Sequence, residues 1–270
     1  MNDRTENTLL VIPSLLLLAL AFVLPIAGIL SQSVYGSNGL TLQHFWRLYD
    51  NSFYHIILWR TIRISLIVAA ICALIGFPYA YIMARGSPAL RRWMLIAVML
   101  PLMTSVIVRT FGWMVILSRS GILPDLLRSM GFRATSFMYT EFAMVIGLVQ
   151  VLLPFMVLTT FGVVTRIDVR LEEAARTMGC SFLKALRSVV LPLALPGIFA
   201  GALLVFTLSA SSFVTPNLLG GPRLQVLATS VYSSLIQTLE WQFAAAQAVL
   251  LFAGVLLILV PYGWLTRVSR

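Results

Sequence analysis

The 270-residue chain has few charged residues, and most of those it has are arginine. Charged side chains make up 10% of the sequence, against about 25% in an ordinary globular domain. Hydrophobic residues make up 60%, and the mean hydropathy is +0.95. This composition excludes a soluble domain and predicts an all-α integral membrane protein, because lipid cannot satisfy an open backbone. The net charge of +10 then indicates cationic helix ends at the membrane surface, not nucleic-acid binding.

Residues that carry catalytic or redox chemistry are also scarce. The sequence has two cysteines that indicate no disulfide framework, two histidines in one predicted loop, and no metalloprotease or serine-hydrolase motif. The only lysine, Lys184, lies between Leu183 and Ala185, so the chain lacks a P-loop ending in Gly-Lys-Ser/Thr. The sequence therefore predicts a chain that is not an enzyme, binds no cofactor and does not hydrolyse ATP by itself.

Six apolar runs are long enough to cross a bilayer core, which needs about 20 helical residues. The predicted spans are residues 9–30, 64–83, 93–117, 142–164, 189–214 and 243–265. The first run is longer than a signal-peptide core, although a cleaved secretory signal stays an alternative. None of the spans contains an acidic residue or a histidine, which weakens the alternative of an ion-coupled secondary transporter. Sodium bound by backbone carbonyls keeps that class open.

The distribution of arginine predicts the orientation of the spans. Cations are more frequent at both chain ends and in the loops after the second and fourth spans than in the other loops. By the positive-inside rule, both termini and these two loops are expected in the cytoplasm. Within the fifth span, Gly197 and Gly201 form a pair of small residues that permits close contact with another helix.

The loop of residues 165–188, here called the coupling elbow, is the most charged segment and predicts two short helices. Thr165 or Asp168 can cap the first helix, and Glu172 and Arg176 have the spacing of an i,i+4 ion pair. A left-handed turn is expected at Gly179. Ser181 can then cap a second helix that continues through Leu186 into Pro192. An amphipathic helix lying on anionic lipid is the alternative.

The elbow also contains a spaced motif: Glu173-Ala174-Ala175, three residues, Gly179, nine residues, then Val189-Val190-Leu191-Pro192. This pattern resembles the EAA signature of the membrane subunits of binding-protein-dependent ABC importers, with valine replacing isoleucine at position 189. Residues 76–81, 84–85 and 153–156 extend the resemblance along the chain.

The resemblance implies a type I ABC importer permease fold with six transmembrane helices, forming a single permease domain over residues 1–270 of a bacterial inner-membrane protein. It implies as partners a second permease subunit, two ATPase subunits that bind ATP and Mg, a periplasmic binding protein and the lipid bilayer. The residues implied to dock on the ATPase are Glu172, Glu173, Ala174, Ala175, Arg176, Met178 and Gly179.

Within that family, residues 109–113, 120–123, 213–216 and 218–222 are most similar to spermidine/putrescine-type permeases. A polyamine-like substrate is therefore favoured. Relatives that import ferric iron, thiamine, phosphonates or opines have similar stretches, so an anionic or zwitterionic amine stays open.

Few polar or aromatic residues in the spans are candidates to line a pathway. Arg109 is the most expensive to bury, at about 2.5–3.5 kcal/mol near a helix centre, and either anchors to backbone carbonyls or contacts substrate. Gln150, Ser209 and Ser212 can line a hydrated passage or pack between helices. Trp113 and Tyr139 are candidates that also fit an interfacial aromatic belt.

Three acidic residues, Asp125, Glu141 and Glu240, lie near the predicted outer ends of the spans. They either meet a cationic substrate or pair with nearby arginines. The expected partners are Arg128, Arg133 and Arg223.

Overall fold

A computed structural model describes residues 3–36, 39–132 and 136–268, and these residues are almost all helical, as the sequence predicts. The long helices are α1 (Asp3–Val34), α3 (Ser52–Arg85), α4 (Pro88–Met103), α5 (Val106–Leu117), α7 (Glu141–Val164), α10 (Leu191–Ala210) and α13 (Trp241–Val268). The short helices are α2 (Gln43–Asp50), α6 (Ile122–Ser129), α8 (Val169–Thr177), α9 (Phe182–Ala185), α11 (Val214–Gly220) and α12 (Leu227–Tyr232). Two π-helical turns, Leu186–Val190 and Ser233–Gln237, and a two-residue hairpin of β1 (Tyr35–Gly36) and β2 (Gly39–Leu40) complete the described elements.

Five helical stretches are long and apolar enough to cross a membrane. They are Pro13–Val34, Ser52–Arg85, Val106–Ser129, Glu141–Val164 and Phe182–Ala210. A sixth apolar stretch, Trp241–Leu257, is shorter and belongs to the 28-residue helix α13. Together they confirm the six-span expectation, with the sixth span shorter within the described residues.

The bounds predicted for the third span, residues 93–117, are wrong. Helix α4 ends at Met103 and α5 begins at Val106, because the backbone of Thr104 is extended. Pro101 lacks an N–H, and both the amide and the hydroxyl of Thr104 donate to the Pro101 carbonyl, at 3.2 and 2.8 Å. The apolar run continues through this break, so hydropathy alone does not reveal it.

The chain divides into two compact units, and the prediction of a single permease domain stays a prediction. The first unit contains residues up to Ile56 and Ser230–Gly254. Its core includes Leu48 and Phe243, and the Arg47 guanidinium lies 4.3 Å from the centre of the Phe243 ring. An apolar contact, with a cation over the aromatic ring of Phe243, therefore stabilises this unit.

The second unit contains Ile57–Thr229 and the chain from Val255, and its core surrounds α7. Helix α10 lies close to α7 at Gly197 and Gly201, as the spacing of these glycines predicts. A Cβ atom at Gly201 would lie 2.5 Å from Thr159 Oγ1, and one at Gly197 would lie 2.7 Å from Val163 Cγ2. Only glycine permits this approach, and it fixes the position of the elbow that joins the two helices.

Candidate functional site

The first helix of the coupling elbow begins at Asp168, one of the two capping residues that the sequence allows. Asp168 Oδ1 accepts a hydrogen bond from the Arg170 amide at 2.9 Å. The Thr165 hydroxyl instead donates to the Phe161 carbonyl at 2.8 Å and so belongs to the end of α7. The cap therefore sets the start of α8 at Val169, and four residues connect it to the end of α7.

The turn at Gly179 has the predicted left-handed conformation, with φ at +85°. The Cys180 amide donates to the Ala175 carbonyl at 3.1 Å, and the Gly179 amide donates to the Arg176 carbonyl at 3.0 Å. These two bonds form a Schellman motif, which satisfies the last carbonyls of α8 and fixes the direction in which the chain leaves it.

The second helix of the elbow begins after Ser181 and continues into α10, as predicted. Ser181 has the backbone of a cap residue, but its side chain makes no capping hydrogen bond, so that part of the prediction is wrong. The sequence also gave no sign of the π turn before Pro192. There the Leu191 amide donates to the Leu186 carbonyl, five residues back. Pro192 has no N–H to donate to a carbonyl four residues back. The helical hydrogen bonds lengthen from four to five residues just before it.

Glu172 does not form the predicted ion pair with Arg176. Its Oε1 accepts hydrogen bonds from Arg85 Nε at 2.8 Å and Arg85 Nη2 at 2.5 Å, while Oε2 accepts from the Tyr81 hydroxyl at 2.8 Å. Glu172 is the one buried residue of α8, and Arg85 is mostly buried as well. Burial reduces the screening of this pair and three hydrogen bonds satisfy the carboxylate, whereas an exposed i,i+4 pair adds only about 0.3–0.5 kcal/mol.

Glu172 is buried, whereas the other residues predicted to dock on the ATPase lie on the accessible side of the elbow. Glu173, Ala174 and Arg176 are exposed, Ala175 is half-buried, and Met178 is 85% exposed. Two apolar side chains of the second helix, Phe182 and Leu183, are exposed as well. The elbow thus presents a mixed charged and apolar surface, and its fixed turn makes that surface rigid.

Tyr81 and Arg85 are functional candidates that sequence reasoning missed. Both lie in the stretches 76–81 and 84–85 that extend the family resemblance, and Arg85 is one of the cations of the loop after the second span. Neither observation predicts a bond to Glu172, which is 87 positions from Arg85. Only the packing of α3 against the elbow reveals this pairing.

Three predicted pathway residues share an unusual property: each has a buried polar atom without a hydrogen-bond partner among the described residues. These atoms are Nε and Nη1 of Arg109, Oε1 of Gln150 and Oγ of Ser209. Arg109 lies on α5, Gln150 on α7 and Ser209 on α10, and α7 contacts both of the other helices. Buried polar groups normally have partners, so each of these atoms is a position that can accept water or a polar solute.

The other pathway candidates occupy different surroundings. Trp113 is half-buried against the apolar core of the second unit. The Ser212 amide donates to the Ser209 carbonyl at 3.1 Å, and Ser212 itself is half-buried. Tyr139 is 58% exposed, with φ at +61°, and its amide donates to the Leu219 carbonyl at 2.9 Å. Tyr139 therefore lies beside the end of α11.

Each of the three predicted outer acids is paired with arginine. Asp125 pairs with Arg128 at 2.8 Å, as expected. Glu141 instead pairs with Arg60, at 3.5 Å, and with Arg63. The third pair is Glu240 with Arg47, at 2.9 Å. Of the other expected partners, Arg133 lies outside the described residues and Arg223 forms no ion pair within them.

Comparison with known proteins places this geometry in a family. A model of the binding-protein-dependent transport system inner membrane component matches residues 74–270, which include the whole elbow and all pathway candidates.

Two polyamine permeases are among the most similar curated proteins. The spermidine/putrescine transport system permease protein PotB of Haemophilus influenzae is 34% identical over 253 residues, covering 93% of this chain and 86% of PotB. PotB of Escherichia coli K12 is 32% identical over 232 residues, covering 85% of this chain and 83% of PotB.

The fold is similar to that of a solved bacterial alginate ABC transporter in complex with alginate pentasaccharide-bound periplasmic protein. The TM-score is 0.80 at 18% sequence identity, covering 98% of this chain and 96% of that chain. The elbow, the apolar spans and the matched family model lead to one conclusion: this chain belongs to the family of inner-membrane components of binding-protein-dependent transport systems.

Proposed function

We propose that this chain is the membrane-spanning subunit of an ATP-driven importer of spermidine- or putrescine-like polyamines. The observation that carries the proposal is the rigid, exposed elbow between α7 and α10, in a chain 34% identical to a spermidine/putrescine permease. The chain lacks a P-loop, so the energy must come from another subunit.

The elbow is the surface that meets the ATPase in this proposal. Glu173 supplies an accessible carboxylate and Met178 an accessible flexible apolar side chain, both on the face away from Glu172. Such a mixed surface fits a groove that offers a cation beside an apolar floor. The ATPase subunits bind ATP and Mg, and this chain binds no cofactor.

The complete importer contains two permease subunits, two ATPases and a periplasmic binding protein. A periplasmic protein in complex with the solved alginate transporter supports this composition. The elbow and both termini lie in the cytoplasm in this proposal, since the loops richest in cations face inward.

The partnerless polar atoms of Gln150 and Ser209 line the pathway in this proposal. Both are acceptors of the kind that an ammonium group needs when it leaves water. In the described residues the outer acids are already paired with arginine, so the passage offers a diffusing polyamine hydrogen-bond acceptors but no free carboxylate. Selectivity would then depend mainly on the binding protein.

Reconstitution tests the proposal. The chain, its partner permease and the ATPases are placed in proteoliposomes with ATP on the ATPase side, and uptake of labelled spermidine and putrescine is measured with and without the binding protein. Uptake should require both ATP and the binding protein. Uptake driven by an ion gradient in vesicles that hold this chain alone would overturn the proposal and favour a secondary transporter.

A second candidate substrate is an anionic or zwitterionic amine such as an opine or a phosphonate. The observation that favours it is Arg109, because Nε and Nη1 have no acceptor among the described residues and a carboxylate or phosphonate would supply one. Calorimetry of the binding protein with putrescine, spermidine and a set of anionic amines separates the two candidates. Binding of anionic amines alone would reject the polyamine assignment and leave the importer mechanism intact.

A further inference from the structure

Glu172 joins the coupling elbow to a helix that does not adjoin it in the sequence. The elbow follows α7 and precedes α10, whereas Tyr81 and Arg85 lie in the last turns of α3. Both carboxylate oxygens of Glu172 are occupied by these two side chains, through three hydrogen bonds of 2.5–2.8 Å. Arg85 Nη2 also donates to the Ile167 carbonyl at 3.0 Å. We call Glu172, Tyr81 and Arg85 the Glu172 clamp.

The clamp is shielded from water. The side chains of Arg85 and Glu172 are 15% and 12% exposed, and buried residues of three segments pack next to them. Those residues are Ala84, Val164, Ile167, Val190 and Ala194. A buried ion pair is screened much less than a surface pair, so the elbow and the end of α3 are held at a fixed separation.

The end of α3 is in turn fixed to α4. Arg91, in the first turns of α4, donates from Nε to the Met83 carbonyl at 3.2 Å and from Nη2 to the Ala84 carbonyl at 2.9 Å. These are carbonyls at the end of α3 that a basic side chain commonly caps. The Tyr79 hydroxyl adds a bond to the Met94 carbonyl at 2.9 Å. A displacement of α3 at this end therefore carries α4 with it.

We propose that Glu172 is a positioning residue that makes α3 and α4 move with the coupling elbow during the transport cycle. This inference rests on the proposed function, in which an ATPase moves the elbow. Through the peptide chain alone, force on α8 reaches only α7 and α10. Apolar packing of α3 and α4 against α7 carries part of this force. The Glu172 clamp adds a direct polar link from α8 to the end of α3, so that four helices respond together to one movement.

The test uses the complete importer in proteoliposomes. Glu172→Gln keeps the size of the side chain but removes the charge that holds Arg85, and it leaves the exposed residues Glu173 and Met178 in place. We expect ATP hydrolysis stimulated by the binding protein to stay within about twofold of wild type. The amount transported per ATP should fall about tenfold, because ATPase closure moves α3 less without the clamp.

A distance measurement separates this role from a merely structural one. Spin labels at Ile82 on α3 and Arg170 on α8, both exposed, are introduced after Cys72→Ala and Cys180→Ser. In the wild-type clamp the distance between the labels should stay constant with and without ATP. In Glu172→Gln it should change with ATP.

Two further variants keep the test decisive if Glu172→Gln fails to assemble. Tyr81→Phe removes one of the three hydrogen bonds and should lower transport per ATP by a smaller factor, about two- to threefold. Arg92→Gln is the control. It removes an exposed cation near the start of α4 and should change neither the stimulated ATP hydrolysis nor the amount transported per ATP.

The proposal is overturned if Glu172→Gln and Tyr81→Phe both transport with wild-type efficiency, or if the wild-type label distance itself changes with ATP. Failure of the proposed function looks different. A wild-type complex that hydrolyses ATP but imports no polyamine would reject the substrate, while the label distances would still decide the role of the clamp.

Discussion

Gly179 and Arg109 are two residues whose environments are unusual for opposite reasons. Gly179 has a backbone conformation that side chains disfavour, although a Cβ atom there would meet no other atom within 4 Å. Arg109 has an ordinary helical backbone but a guanidinium with two buried nitrogens that lack acceptors in the described part of the chain. Backbone strain therefore limits which residues can replace Gly179, and unmet hydrogen bonds determine the cost of burying Arg109.

Gly179→Val should impair coupling through backbone strain alone. A left-handed conformation costs a β-branched residue about 1–2 kcal/mol, so the turn should relax and displace the docking face of the elbow. Transport and the ATPase stimulation by loaded binding protein should fall, while the amount of protein in the membrane stays the same. Gly179→Asn is the matched control, since asparagine tolerates this region. Wild-type transport by the valine variant would show that the turn is not a coupling element.

Arg109→Met should leave stability unchanged or raise it, because it removes a buried charge that lacks partners for two of its nitrogens. Thermal unfolding of the solubilised complex checks this expectation. Uptake of an anionic or zwitterionic amine should nevertheless fall, since Arg109 supplies the hydrogen-bond donors for that second candidate substrate. A large loss of thermal stability would mean that Arg109 is a structural anchor, with acceptors supplied from outside the described residues.

At the scale of elements, the most extensive helix contact among the described residues is that of α10 with α7. Thr159 cannot move away from Gly201 without cost, because its hydroxyl donates to the carbonyls of Phe155 at 2.8 Å and Met156 at 3.0 Å. The glycine spacing in α10 predicts a close contact, but the partner helix and the facing residues are known only from the packing.

Gly201→Ala should therefore destabilise the protein. Its Cβ would lie 2.5 Å from Thr159 Oγ1 and 2.7 Å from Met156 Sδ, and overpacking of this kind costs about 1–3 kcal/mol. The measurement is the thermal unfolding midpoint in detergent. Gly162→Ala, on α7 with no atom within 4 Å of its Cβ, is the matched control and should be neutral or slightly stabilising. Equal midpoints for the two variants would contradict this account of the contact.

At the scale of the whole molecule, the open question is which side of the membrane each loop faces. The apolar runs define the spans but are symmetric with respect to the two sides, so only the loop cations indicate direction.

Reporter fusions decide the orientation. Fusions after Leu40 and Arg128 should be external, whereas fusions after Arg92 and Lys184 should be internal. The reason is that the loops expected inside hold more arginine, which is retained on the cytoplasmic side. The reverse pattern would place the elbow outside the cell, where it meets no ATP, and would overturn the coupling proposal as well.

Hydropathy by itself determined five of the six spans closely, because a lipid core demands a long apolar helix wherever a chain crosses it. It placed the third span wrongly, since the helix breaks at the extended residue Thr104 inside an apolar run that continues without interruption. Likewise, the local signals around Gly179 determined the Schellman turn, because cap and turn preferences act within a few residues.

Only the tertiary structure decided which partners the charged and polar side chains have. Glu172 has a suitable cation four residues away, yet it pairs with Arg85, because burial strengthens an ion pair and the exposed local alternative gains almost nothing. Glu141 likewise pairs with Arg60 and Arg63 on another helix. Sequence spacing fixes which residues are close along a helix, but long-range pairing depends on how the helices pack, because packing decides which charges meet where screening by water is weak.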